Sequence, residues 1–277
     1  MQTRTGTTTI SAATSPPLRD HLRELLRHGD LILSFARRDI RARYHQTVLG
    51  IAWAVLQPFS LMLIFTLVFS KLARVPSDGL PYPIFVYSAL IFWTFFTTSI
   101  AQGTIAVVAN SSLVRKIHFP RETLLLAVLM ASSLDLAIAS LIFGGMLLYY
   151  QVAVHWTLLW LVPLFALQVL LAFGVICITS AVHVYFRDIG HAMPLFLQLW
   201  MFATPVAYPL SLVPTNLSLL YLLNPMVPII EGYRSAILLG QSPNLRHLQL
   251  GVLVAMLLVA LGYLGFKRAE RTFADVI

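Results

Sequence analysis

The chain has 277 residues, of which 58% are hydrophobic and only 11% charged, with a formal net charge of +8 and a mean hydropathy of +0.80. A soluble domain carries about 25% charged residues, so these few cannot clothe a water-facing surface, and lipid is the main solvent. That excludes a soluble globular enzyme, and the positive charge is no nucleic-acid signal, because basic residues in membrane proteins mark cytoplasmic loops.

In chain order, residues 1–17 are rich in Thr and Ser and read as a disordered cytoplasmic tail. They lack the apolar core of a signal peptide, which leaves insertion to the first internal span. Residues 18–46 interleave Leu22, Leu25, Leu26, Leu33, Phe35, Ala36 and Ile40 with Arg23, Arg27, Arg37, Arg38, Arg41 and Arg43. The pattern predicts a basic amphipathic helix at the membrane interface; a plain positive-inside anchor is the alternative.

Residues 47–277 are expected to form the transmembrane domain. A spanning helix needs about 20 largely apolar residues, and the candidates are 48–69, 84–108, 123–149, 158–182, 192–208 and 248–266. The fold class is therefore an all-α membrane protein of six transmembrane helices. Between the last two spans, residues 209–240 are apolar but carry Pro214, Pro225, Pro228, Glu231 and Arg234. Short re-entrant helices on the outer side are expected there, since irregular backbone at membrane depth must be covered by protein or line a cavity. With the N-terminus inside, 15 of the 19 Lys and Arg fall on the cytoplasmic side. Only Lys71, Arg74, Arg234 and Arg246 fall outside, which places both termini in the cytoplasm.

The phosphate-cradling pattern GxxxxGK[ST] is absent, and none of Lys71, Lys116 and Lys267 follows a glycine. The chain is read as having no nucleotide site, no catalytic residues, no metal and no bound cofactor. Cys177 lies in an apolar run, and the eight histidines sit at or beyond span ends. Asp135 is the one clear ionisable group at mid-membrane. With Ser132, Ser133 and Ser140 it is either a functional group or part of a helix-to-helix hydrogen bond. Glu231 and Arg234, three residues apart, would share a helix face and pair, or else stand as separate interfacial charges.

The loop 110–122, NSSLVRKIHFPRE, joins two spans. It sets Leu113, Val114, Ile117 and Phe119 beside Arg115, Lys116 and His118, with Pro120 and Glu122 suited to the start of the next helix. Such an apolar cluster marks a docking surface or rests on lipid headgroups. The loop resembles the coupling helix of type-2 ABC export permeases. RDIRARYHQTVLGIAWAVLQP (38–58), YFRD (185–188) and LLNPMVPIIEGYRSAILLG (222–240) resemble the polysaccharide export permeases, especially those for O-antigen lipopolysaccharide chains. The resemblance covers roughly residues 31–267.

It implies a homodimeric permease of the bacterial inner membrane. Each copy would dock one of two ATPase subunits, which bind ATP and Mg, and the dimer would enclose a channel for a lipid-linked polysaccharide. Under it, Leu113, Val114, Arg115, Lys116, Ile117, His118, Phe119, Arg187 and Asp188 take the coupling role, and Asn224, Pro225, Glu231 and Arg234 the outer gate. Aromatic rings stack on the C–H faces of sugars, which makes Trp53, Phe59, Tyr87, Phe92, Trp93, Phe96, Trp200 and Tyr208 candidates to line the channel. Interfacial belts and helix packing are the other reading of those rings. The rivals are an ABC permease for a drug or peptide, and a membrane enzyme acting on lipid-linked sugars. The enzyme would need an acidic or histidine cluster at one membrane face, and none is visible in the sequence.

Overall fold

The computed structural model describes residues 28–277 except Gln46, His118 and Thr215. The expected tail and residues 18–27 of the amphipathic helix lie outside the described residues. The described regular elements are all helical: α1 (Gly29–Tyr44), α2 (Gly50–Leu72), α3 (Tyr82–Ala109), α4 (Ser111–Lys116), α5 (Glu122–Tyr149), α6 (Trp156–Tyr185), α7 (Asp188–Phe202), α8 (Ser218–Leu222), α9 (Met226–Ile237), α10 (Leu245–Glu270) and α11 (Phe273–Val276), with a short 3-10 turn at Leu210–Leu212.

Five of these, α2, α3, α5, α6 and α10, are long and apolar enough to cross a membrane. The expected sixth spanning helix over 192–208 is not confirmed. Helix α7 begins at Asp188 and stops at Phe202 after 15 residues. At 1.5 Å per residue that is about 22 Å, short of the roughly 30 Å hydrocarbon core. Residues 203–209 continue as turns, and the chain returns through α8 and α9.

Helix α3 is the central pillar. In its most apolar 18-residue stretch 78% of residues are buried, against 17% in α2 and in α10. Side chains on most of α3 pack on α5, α6, α7 and α9, and a helix enclosed this far is apolar on those sides. Helices α6 and α10 meet backbone to backbone. A methyl group on Gly174 would come to 2.8 Å from the Val259 nitrogen, and one on Gly262 would strike the Gly174 carbonyl. Small residues permit this approach, the usual way helices associate in lipid.

Helices α3 and α5 have 28 residues each, about 42 Å. They exceed the hydrocarbon core and project beyond it, carrying α4 and the loop between them. Helix α1 packs along α5. Phe35 meets Phe119 with ring centroids 5.8 Å apart, and eight residues later Arg43 reaches Asp135.

Candidate functional site

Three groups of side chains carry features that packing alone does not require. The first is at the end of the bundle that holds α4. This six-residue helix buries Val114, and Phe119 is buried against Phe35. Leu113 is half-buried, while Arg115, Lys116 and Ile117 are exposed. Of the four apolar residues in the loop, Ile117 is the one that projects from the surface. Arg187 and Asp188 are exposed at the start of α7, beside exposed Phe186.

Below α4 lies a charge network that sequence spacing does not reveal. Lys267 of α10 pairs with Glu122, which is 1% exposed, and lies 2.8 Å from Glu270. Glu270 accepts from the Arg121 backbone N–H at 3.2 Å and from its guanidinium at 3.5 Å, and the Tyr263 hydroxyl donates to Glu122 at 3.3 Å. The exit of the α4 loop is thereby tied to the end of α10.

The second group is a cavity of about 140 Å³ at membrane depth, walled by α1, α2, α3 and α5. Its lining includes Trp53, Gln57, Thr94, Thr98 and Gln102, together with Arg43, Tyr44 and Asp135. Asp135 accepts from the Arg43 guanidinium at 2.7 Å and from the Tyr44 hydroxyl at 2.6 Å. Burial, and then the bond to Asp135, push the Tyr44 phenol far above its ordinary range, so it remains a donor. Of the two readings of Asp135, the hydrogen bond between helices is present, and its partner is α1. Replacing Asp135 with Leu orphans both donors and should cost about 1–3 kcal/mol. In a background that already has Arg43→Gln the loss should be smaller. Equal losses of thermal stability in both backgrounds would contradict the pairing.

Gln57 and Gln102 are exposed and Trp53 is 52% exposed, so the groove opens sideways from the chain. The other aromatic candidates are placed differently. Tyr87, Phe92, Trp93 and Phe96 are buried within the chain. Phe92 stacks on Tyr233 with centroids 3.5 Å apart, Tyr87 packs on Phe143, and Trp93 and Phe96 pack on Trp200. Phe59 is partly buried against the core, and Tyr208 donates to the Phe202 carbonyl at 2.8 Å.

The third group closes the break after α7. Five carbonyls released where that helix ends each receive a side-chain donor. Phe202 receives Tyr208, Ala203 receives Asn224 at 3.1 Å, Pro205 and Val206 receive Arg234 at 2.5 and 2.6 Å, and Ala207 receives Tyr82 at 2.7 Å. Asn224 also donates to Thr204 at 2.9 Å and accepts from the Trp200 indole at 2.9 Å and the Met226 N–H at 3.1 Å. Pro225 is buried at the entrance to α9. Arg234 is 3% exposed, pairs with Glu231 at 3.0 Å, and lies with its guanidinium carbon 3.8 Å from the Phe85 ring centre. Backbone polar groups in lipid must be satisfied internally, and this cage satisfies them.

Among the described residues no group of three or more His, Cys, Asp or Glu is placed to hold a metal ion. Residues 30–238 match the family model described as ABC-2 type transporter. The chain is 28% identical over 259 residues to the "O-antigen export system permease protein RfbA" of Myxococcus xanthus, covering 92% of this chain and 98% of that one. It is 25% identical over 249 residues to the protein of the same name from Klebsiella pneumoniae, covering 90% and 95%. It is also 25% identical over 227 residues to the "Polysialic acid transport protein KpsM" of Escherichia coli, covering 79% and 86%.

Proposed function

The chain belongs to the ABC-2 type transporter family, and we propose that it is the permease subunit of an ATP-driven exporter of a lipid-linked, O-antigen-like polysaccharide. Two copies form the channel in the bacterial inner membrane, and two copies of a separate ATPase drive it. The supporting observation is the sideways-open groove of Trp53, Gln57, Thr94, Thr98 and Gln102. Amide and hydroxyl groups at membrane depth are costly against lipid, so this face is turned to a second copy and the water-filled path between them. Gln57, Gln102 and the two threonines offer hydrogen bonds to sugar hydroxyls, and Trp53 offers an apolar face for their C–H surface. The relatives' names, O-antigen export and polysialic acid transport, support the substrate class.

The α4 end is the cytoplasmic one in this reading, as are both termini, following the excess of Lys and Arg. Cysteine introduced at Ser77 should be labelled by a membrane-impermeant thiol reagent in spheroplasts, and cysteine at Ser112 only after permeabilisation. Labelling of position 112 in intact spheroplasts would reverse the topology. The function is tested by deletion. Cells without this chain should lose surface polysaccharide and accumulate the lipid-linked polymer inside, and the wild-type chain should restore export. Normal surface polymer in the deletion strain would overturn the assignment.

A further inference from the structure

The short C-terminal segment that follows α10 touches α4, α6 and α10. Phe273 is fully buried and meets Phe266 of α10 edge-on, with ring centroids 5.4 Å apart. The Thr272 and Tyr185 hydroxyls share a hydrogen bond of 2.5 Å, which ties the segment to the end of α6, one residue before Phe186. The Arg115 guanidinium of α4 donates to the Ile277 carbonyl. One stretch of six residues thus holds the first inner loop, the second inner loop and the last span together.

Resting on the reading of this end as the ATPase-docking face, we infer that residues 272–277 are a positioning element that fixes the two inner loops as one surface. The surface they assemble carries the exposed apolar side chains of Ile117, Phe186 and Val276, which are 52%, 66% and 45% exposed. It is bordered by exposed Arg115, Lys116 and Arg187. The occupant that suits it is a soluble ATPase subunit presenting an apolar groove with an acidic rim. Helix α4 has only six residues and is too short to hold its shape alone. Its orientation therefore depends on the Arg115 clasp in its last turn and on the network of Arg121, Glu270 and Lys267 just beyond it.

The test is co-purification with the ATPase from membranes expressing both subunits. A chain ending at Arg271 should insert and dimerise, with a lower melting temperature because the buried Phe273 is lost. It should retain the ATPase about tenfold less well, the effect of losing roughly 1.4 kcal/mol of binding. Because truncation itself lowers the melting temperature, Thr272→Val decides, since it removes the hydroxyl tie to Tyr185 and leaves Phe273 in place. It should melt as the full chain does and still retain the ATPase less well than wild type. Ile117→Asp serves in the same experiment as the probe of docking itself. If Ile117→Asp releases the ATPase while the truncated chain and Thr272→Val keep it, the positioning role is refuted and the docking face stands. If Ile117→Asp also keeps the ATPase, both fall together.

Discussion

Arg234→Ala is expected to be the most damaging single substitution in the chain. The guanidinium supplies donors to the Pro205 and Val206 carbonyls and to Glu231, and it covers the Phe85 ring. Truncation leaves two carbonyls and a carboxylate without their partner, and breaking a buried ion pair alone costs about 3–5 kcal/mol. In a chain of this size that lowers the melting temperature by roughly 10 °C, and the protein should accumulate poorly in the membrane. Arg234→Lys should recover only part of the loss, because one ammonium cannot reproduce the fork that spans two carbonyls. Glu231→Gln should be much milder. Glu231 is 28% exposed on its side chain, and an amide oxygen can still accept from Arg234. The two residues form a pair, as their spacing predicts, but an unequal one. Normal accumulation and a melting temperature within about 2 °C of wild type for Arg234→Ala would refute the cage.

Ile117→Asp should have the largest effect on transport with the least on folding. Ile117 is exposed and its neighbours Val114 and Phe119 are buried, so a carboxylate at 117 meets water in the free chain and an apolar groove in the complex. Burying it unpaired in such an interface costs several kcal/mol, enough to release the ATPase and stop export. Phe119→Asp is a poor probe of the same idea, because it would break the contact with Phe35 and unfold the loop. The variant chain should insert and dimerise as wild type does. Full co-purification and normal export by Ile117→Asp would assign the loop to lipid contact alone.

Hydropathy made the five long spans legible because each needs only enough apolar side chains to face lipid. It misjudged residues 203–208 for the same reason. Thr204, Pro205, Val206 and Ala207 look like membrane residues, yet their backbone is not helical, and hydropathy does not count carbonyls. The donors that make this possible come from Tyr82, Asn224 and Arg234, up to 125 residues away. The partner of Asp135 was equally hidden, since Arg43 lies 92 positions earlier. The apolar cluster of the α4 loop could be read from sequence, but its division into buried Val114 and Phe119 and exposed Ile117 depends on α1 packing beside it. The rings of α3 are distributed around the whole helix, and the neighbours that enclose them come from α5, α7 and α9. Trp53 and Gln57, on the thinly covered α2, carry the opposite signal of polar or amphipathic groups left open at membrane depth.

The most direct test of the account is reconstitution. The chain and its partner ATPase, purified together, would be placed in proteoliposomes preloaded with the lipid-linked polysaccharide in the leaflet that bears the ATPase. Transfer of the glycan to the opposite leaflet should require both subunits and ATP, and the chain alone should hydrolyse none. Transfer by the chain without ATPase or ATP, or no transfer when both subunits hydrolyse ATP, would contradict it.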